Sequence, residues 1–257
     1  MNAAYIATVR RDASRERGFT LIELLAAVAI AVFLLGGLVT LTQNLRQTYL
    51  NQQALALLQD QQRFAMTVIT DVIQAGGYFP NSLNYTPETS LTATAPYGQG
   101  QAFYGTHPGA PTPDTLYVRY RTAINDGVIL CNGSTNTTVT PDQLYSNEFT
   151  VTPGNPGQLF CTLNNNAPVA LVNGVQSMTI YYGVKRDSAT DDYNVDTYLT
   201  ADQMNPAGPL GSDWANISSV MVVLVFTNPL FPQPGQTQPT ITFQRVVEVM
   251  GRAGVHT

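Results

Sequence analysis

The chain has 257 residues, is 44% hydrophobic and only 11% charged, and sets 12 Lys and Arg against 17 Asp and Glu for a net charge of −5. Charge this sparse, beside 13 Tyr, 10 Phe and 1 Trp, excludes a disordered chain, because disorder goes with abundant charge and few aromatic rings. The acidic balance argues against nucleic acid as a partner, since phosphate binding needs a net basic surface.

The charge is unevenly placed. Residues 1–17 hold Arg10, Arg11, Arg15 and Arg17 against Asp12 and Glu16, a net +2, and the rest of the chain is −7. Between these regions runs FTLIELLAAVAIAVFLLGGLVTL, residues 19–41, with Glu23 as its single charge; the next is Arg46. A helix of about 20 residues at about 1.5 Å each crosses the roughly 30 Å of a bilayer core, so this run is long enough to span. Basic residues ahead of the span keep the N-terminus cytoplasmic and export the remainder. No small-residue A-x-A site follows the run, so a cleavable secretory signal is not expected. Glu23 is out of place in a plain anchor. A carboxylate costs about 2.5–3.5 kcal/mol at the bilayer centre and less near the interface, and no basic residue stands at helical spacing from it within the run. A partner supplied by another chain is the expectation.

After Arg46 the chain continues without Pro or Gly to Gly76-Gly77, and Ala65, Val68, Ile69, Val72 and Ile73 form a stripe at helical spacing. The pattern predicts one helix over residues 19–75, about 80 Å long, stopped by the glycine pair. Gly36-Gly37 is where such a helix would soften, each Gly costing about 1 kcal/mol relative to Ala. Sustained heptads are absent, so a free coiled coil is not expected.

The string Arg17-Gly18-Phe19-Thr20-Leu21-Ile22-Glu23-Leu24, set after a basic leader and before the span, resembles the type III signal of type IV prepilins and of type II secretion pseudopilins. The resemblance implies cleavage between Gly18 and Phe19 by a membrane peptidase, N-methylation of the new terminal Phe19, and a Glu23 that faces the N-terminal ammonium of a neighbouring subunit. Such a neighbour is the counter-charge that a buried carboxylate requires.

Beyond residue 80 the chain is rich in Pro, Gly, Asn and Thr. A loop-rich stretch over residues 80–113 precedes strand-like runs at 115–122, 127–131, 148–152, 158–163, 170–172, 176–184, 220–227 and 240–249, which imply an antiparallel sheet packed on the second half of the helix. Cys131 and Cys161 are the only cysteines, and in an exported head an even pair reads as a disulfide. Closing about 30 residues contributes roughly 3 kcal/mol. Asp187, Asp191, Asp192 and Asp196 are a weak calcium candidate, lacking the glycine and terminal Glu of an EF-hand; an exposed acidic hairpin is the expectation. Arg119 and Arg121 read as surface residues of the 115–122 strand. His107 and His256 are the only histidines, and no nucleophile elbow, Walker loop, H-E-x-x-H or C-x-x-C occurs, so neither an enzyme nor a cofactor is expected. Three Asn-x-Ser/Thr sequons, at Asn132, Asn136 and Asn216, read as chance in an Asn- and Thr-rich head.

The elements LYVRYR (116–121), GVILCNG (127–133), QLFCTL (158–163), LVNGVQSMTIYYGV (171–184) and the Trp214 to Val220 stretch resemble the minor pilins of the PilW family. That resemblance implies the α+β type IV pilin fold, a long N-terminal helix packed on an antiparallel β-sheet head. It divides the chain into a removed leader at 1–18, a transmembrane and filament-core helix at 19–44, an amphipathic continuation at 45–76 and a periplasmic head at 77–257. It further implies a subunit that helps to start pilus assembly near the tip, held first in the inner membrane and then in the pilus on the cell surface. Its partners would be other minor and major pilins, the prepilin peptidase and methyltransferase, the inner-membrane assembly platform and sometimes a tip adhesin. The alternatives are a J-type pseudopilin of a type II secretion system and, more remotely, a membrane-anchored periplasmic binding domain with an uncut N-terminus.

Overall fold

A computed structural model describes residues 18–137, 142–186, 194–207 and 212–250. Helix α1 (Leu21–Gln74) is continuous over 54 residues and passes through Gly36-Gly37 without a break. By contacts the chain divides into a unit that ends at Leu50 and a unit that starts at Asn51.

In the first unit, every described residue up to Leu50 is exposed. Apolar side chains face outward all round the helix, among them Leu21, Ile22, Leu24, Leu25, Val28, Ile30, Phe33 and Leu34. A helix apolar on every side is stable only where the surroundings are apolar too. Thr40 and Thr42 donate their hydroxyls to the carbonyls of Gly36 and Leu38 at 3.0 and 2.8 Å, so neither polar group asks anything of a hydrocarbon environment.

In the second unit the rest of α1 buries Leu58, Ala65, Met66, Ile69, Val72 and Ile73. This is the expected stripe, with Leu58 and Met66 added and Val68 only partly covered. Each fully buried aliphatic side chain is worth about 1.5–3 kcal/mol. The helix stops where Gly77 takes φ +80, a left-handed conformation that costs Gly little, and its N–H reaches the carbonyl of Arg119 at 3.1 Å. Asn51 and Gln233 exchange two amide hydrogen bonds, 2.9 and 3.0 Å, between α1 and the loop near residue 233.

After the short helix α2 (Pro87–Ser90) come β1 (Phe103–Thr106), β2 (Thr115–Ala123), β3 (Asp142–Thr152), β4 (Gln158–Leu163), β5 (Val169–Asn173), β6 (Val175–Val184), β7 (Thr197–Leu199), β8 (Ile217–Thr227) and β9 (Thr240–Glu248). Two sheets form where one was expected: β1-β2-β3-β4-β5 and β7-β6-β8-β9. Every described pairing is antiparallel. The apolar run of β8 lies inside the second sheet, with Val220, Val222, Leu224 and Phe226 turned into the core. The sheets meet closely at Gly105, where a Cβ would collide with the Tyr182 hydroxyl.

Two expectations need correction. Residues 127–131 are not a strand; a single bridge joins Ile129 to Thr135. Gly127 and Gly133 both take φ +81, and Asp126 accepts the N–H groups of Ala123 and Val128 at 2.8 and 3.1 Å. The backbone's hydrogen-bonding groups are thus engaged in turns rather than a ladder. Arg119 is not on the surface: it is 1% exposed. Its guanidinium donates to the carbonyls of Gln101, Thr92, Leu91 and Gly98 at 2.5, 2.7, 3.2 and 2.6 Å, with the Tyr97 ring 4.5 Å away over its face. These bonds fasten the loop of residues 91–101 onto β2, and a buried charge is tolerated when its hydrogen bonds are made.

Candidate processing and assembly segment

Gly18, Phe19 and Thr20 precede α1. Phe19 is 87% exposed, and an added Cβ at Gly18 would meet nothing within 4 Å, so the Gly18–Phe19 bond lies open. One residue on, Thr20 caps the helix. Its N–H donates to Glu23 Oε2 at 2.9 Å, its hydroxyl donates to the same oxygen at 3.0 Å, and the Glu23 N–H donates back to Thr20 Oγ1 at 3.4 Å. This is a capping box, which satisfies donors that helix geometry leaves open at an N-terminus.

Thr20 thus gives Glu23 an uncharged hydrogen-bond partner in its own chain and supplies no counter-charge. Both described bonds to the Glu23 carboxylate fall on Oε2, and among the described residues none reaches Oε1. The carboxylate also sits in the first turn, where the helix dipole favours negative charge. Thr20 is the functional residue that the sequence reading passed over, although T-x-x-E ahead of an apolar run is a visible signal.

The remaining expected sites lie in the second unit. Cys131 and Cys161 are joined as a disulfide, with Cα atoms 5.9 Å apart and a separation of 30 in sequence. Cys131 lies in a turn after β2 and Cys161 in β4. Of the calcium candidate, Asp187, Asp191 and Asp192 fall outside the described residues. Asp196 accepts the N–H of Arg186 at 2.8 Å, and Arg186 in turn holds the buried Asp213 at 2.5 Å. Among the described residues no group of three or more His, Cys, Asp or Glu is arranged to hold a metal. His107 meets the buried Asp114 at 2.7 Å, whose other oxygen accepts the N–H of Ile180, an internal brace between strands. His256 lies outside the described residues. Asn136 is fully buried, donating to the Thr122 carbonyl at 2.8 Å, so its sequon has a packing role.

Comparison with known proteins bears on both units. Residues 134–250 match the family described as Type IV Pilus-assembly protein W, and residues 13–39 match the prokaryotic N-terminal methylation motif. The pilin-like protein PilA3 of Thermus thermophilus is 29% identical over 198 residues, 75% of this chain and 79% of that one. A solved structure of a type IV-like pilin from Thermus thermophilus aligns with a TM-score of 0.39 and 11% identity over 75% of this chain and 95% of its own, a likeness too slight to argue from.

Proposed function

We propose that the chain is a type IV pilin-like protein and, more narrowly, a minor pilin that helps to start assembly of a type IV pilus; the reading is supported by its match to the prokaryotic N-terminal methylation motif and to the PilW family segment. The leader is removed between Gly18 and Phe19, and Phe19 becomes the N-methylated end. Residues 19–44 lie in the inner membrane and then in the core of the fibre, residues 45–76 continue the helix, and residues 77–257 form the periplasmic, later surface, head. The observation that carries the reading is the methylation motif at the head of a helix that is apolar on every side and opens with a Thr20–Glu23 cap.

The chemistry of assembly follows from that cap. With Oε2 held by Thr20, Oε1 of Glu23 accepts the methylated ammonium of a neighbouring subunit without breaking the capping box. Such a pair is worth most where water is excluded, and losing one partner there costs about 3–5 kcal/mol. Gly36 and Gly37 lie open along the same segment and permit close approach of a second helix. The subunit enters the fibre beside other minor and major pilins, after the prepilin peptidase and methyltransferase have acted, through the inner-membrane assembly platform, near the tip and with a tip adhesin where one is present. Its work is structural rather than catalytic.

The test is a clean deletion strain in which surface pili are counted and secreted protein is assayed in the same cultures. Few or no pili with normal secretion is the expected result. Normal pili with lost secretion would transfer the chain to the J-type pseudopilins. A Gly18→Ala substitution is expected to leave the leader attached, as seen by mass of the purified chain; a mature N-terminus at Phe19 in that variant would refute the cleavage site.

A further inference from the structure

The outward face of the five-stranded sheet bears an ordered row of side chains. Strand register sets Tyr104 of β1 opposite Tyr117 of β2, Tyr117 opposite Glu148 of β3, and Glu148 opposite Thr162 of β4. At about 4.8 Å between strands the row is about 14 Å long. Trp214 carries it past the sheet edge: its ring lies 5.3 Å from that of Tyr104, which lies 5.8 Å from that of Tyr117. The three rings are half-buried. Concavities open towards either end, one of about 510 Å³ that includes Tyr117, Glu148, Asn164 and Asn165, the other of about 340 Å³ that includes Trp214. Both fall in the range of small-ligand sites, about 300–1,000 Å³.

Folding accounts for one side of the row, where Trp214 packs on the buried Tyr182 with ring centres 5.1 Å apart and Tyr104 lies 6.3 Å from Tyr97 of the loop over this face; it does not account for the half of these rings, and of Tyr117 and Glu148, that stays open. The opposite face of the same strands supplies the core through Phe103, Val118, Phe149 and Cys161, and an outward antiparallel face is ordinarily polar. The polar groups beside the rings are held for contact. Tyr117 donates its hydroxyl to Glu148 Oε1 at 2.8 Å, which fixes the carboxylate and leaves Oε2 as an acceptor. Asn164 accepts the Ser146 N–H on its oxygen at 2.8 Å, which leaves its NH₂ to donate outward. Arg119 is the single cation among the described lining residues. Its guanidinium is turned to four carbonyls and covered by Tyr97, so no charge is presented to a phosphate or carboxylate.

A ligand for this face must offer flat C–H-bearing surface to aromatic rings, whose faces are electron-rich, must offer hydroxyls to a carboxylate and an amide, and must carry no negative charge. We propose that the Trp214–Tyr104–Tyr117–Glu148 row is a binding site for an uncharged saccharide chain. The rings stack on sugar faces while Glu148 and Asn164 bond to the hydroxyls beside them. Single-stranded nucleic acid also stacks on aromatic rows, but it needs a basic groove for its phosphates, and here the charge on offer is Glu148. The site stands on the head alone and does not depend on the chain's role in a fibre.

The chain has 1 Trp, so intrinsic fluorescence reports Trp214 directly. The full chain, kept in a zwitterionic detergent to avoid sugar head groups, is titrated with maltotriose, cellotriose, chitotriose and mannotriose, and separately with oligothymidylate. Saturable change with at least one trisaccharide is expected, weakened at least tenfold by Tyr104→Ala and by Glu148→Gln and retained by Tyr104→Phe, with calorimetry as a readout independent of the ring contact. Glu148→Gln keeps the shape of the site and decides the matter if Tyr104→Ala fails to fold. Absence of saturable binding to all four sugars overturns the proposal, as does binding that Glu148→Gln leaves unchanged. Saturable binding of oligothymidylate in place of the sugars assigns the rings to nucleic acid and overturns it equally.

Discussion

In the proposed assembly Glu23 answers to two demands, the cap and a neighbour's ammonium, that single substitutions can separate. Thr20→Ala removes the hydroxyl of the capping box and is expected to cost about 1 kcal/mol of local helix stability while leaving Oε1 available to a neighbour. Glu23→Ala removes both roles. Incorporation into fibres, measured as the amount of the chain in sheared pili against the amount in membranes, is expected to fall sharply for Glu23→Ala and little for Thr20→Ala. Equal losses would mean that the cap, and not a neighbour's ammonium, is what Glu23 supplies. The tyrosines set a second expectation. Burial pushes Tyr97 up to about 12 against a lowering bond from Ser146, and burial, then the bond to Glu148, pushes Tyr117 up to about 12; Tyr120 and Tyr182 move the same way. A tyrosine in the unfolded chain loses its proton near pH 10, before the folded ones do, so stability intact below pH 10 is lost progressively from pH 10 to about 12. Urea midpoints measured at pH 8, 10 and 11.5 are expected to fall over the last interval, less steeply for the double variant Tyr97→Phe/Tyr117→Phe.

At the scale of elements, the disulfide is the clearest stabiliser to test. It joins the turn after β2 to β4 across 30 residues, so its loss is expected to lower unfolding free energy by roughly 3 kcal/mol. Denaturant curves with and without reductant measure it, and coincident midpoints would deny the bond its role. Which elements could be read from the sequence follows from how much each depends on its neighbours. The helix announced itself through a 3.6-residue stripe and a glycine stop, and β4 through six residues with clean turn flanks. FYGT and TYL, which form β1 and β7, are 4 and 3 residues long, too short for any period to register, and exist because a partner strand is there. GVILC looked like a strand by composition, yet Asp126 and its flanking glycines draw its backbone into turns. Arg119 misled for a related reason. Alternation placed it correctly opposite Val118 and Tyr120, but only the loop of residues 91–101, folded over that face, makes the position an interior. The aromatic row likewise needs the registers of three strand pairs before Tyr104, Tyr117 and Glu148 become neighbours.

For the molecule as a whole, the division at Leu50 and Asn51 separates a unit whose described residues are all exposed from one with a buried core. No buried apolar side chain precedes Leu58 among the described residues. A chain beginning at Asn51 is expected to remain in the soluble fraction and to unfold cooperatively with the midpoint of the full chain, measured by circular dichroism; aggregation or a lowered midpoint would show that the core draws on residues before the division. Conversely, the exposed side chains from Phe19 to Leu45 have no place in water, and their disposition suits the hydrocarbon of a membrane and then the dry interior of a fibre.

The covalent loop from Cys131 to Cys161 has a bearing on tension. A head pulled along its own chain lengthens, where it yields, by the contour it releases. The bond encloses the whole of β3, so the force passes from one sulfur to the other and β3 lies off the load path. At about 3.4 Å per residue, roughly 100 Å of slack is withheld from a head under stretch. Only a reducing milieu would let it out.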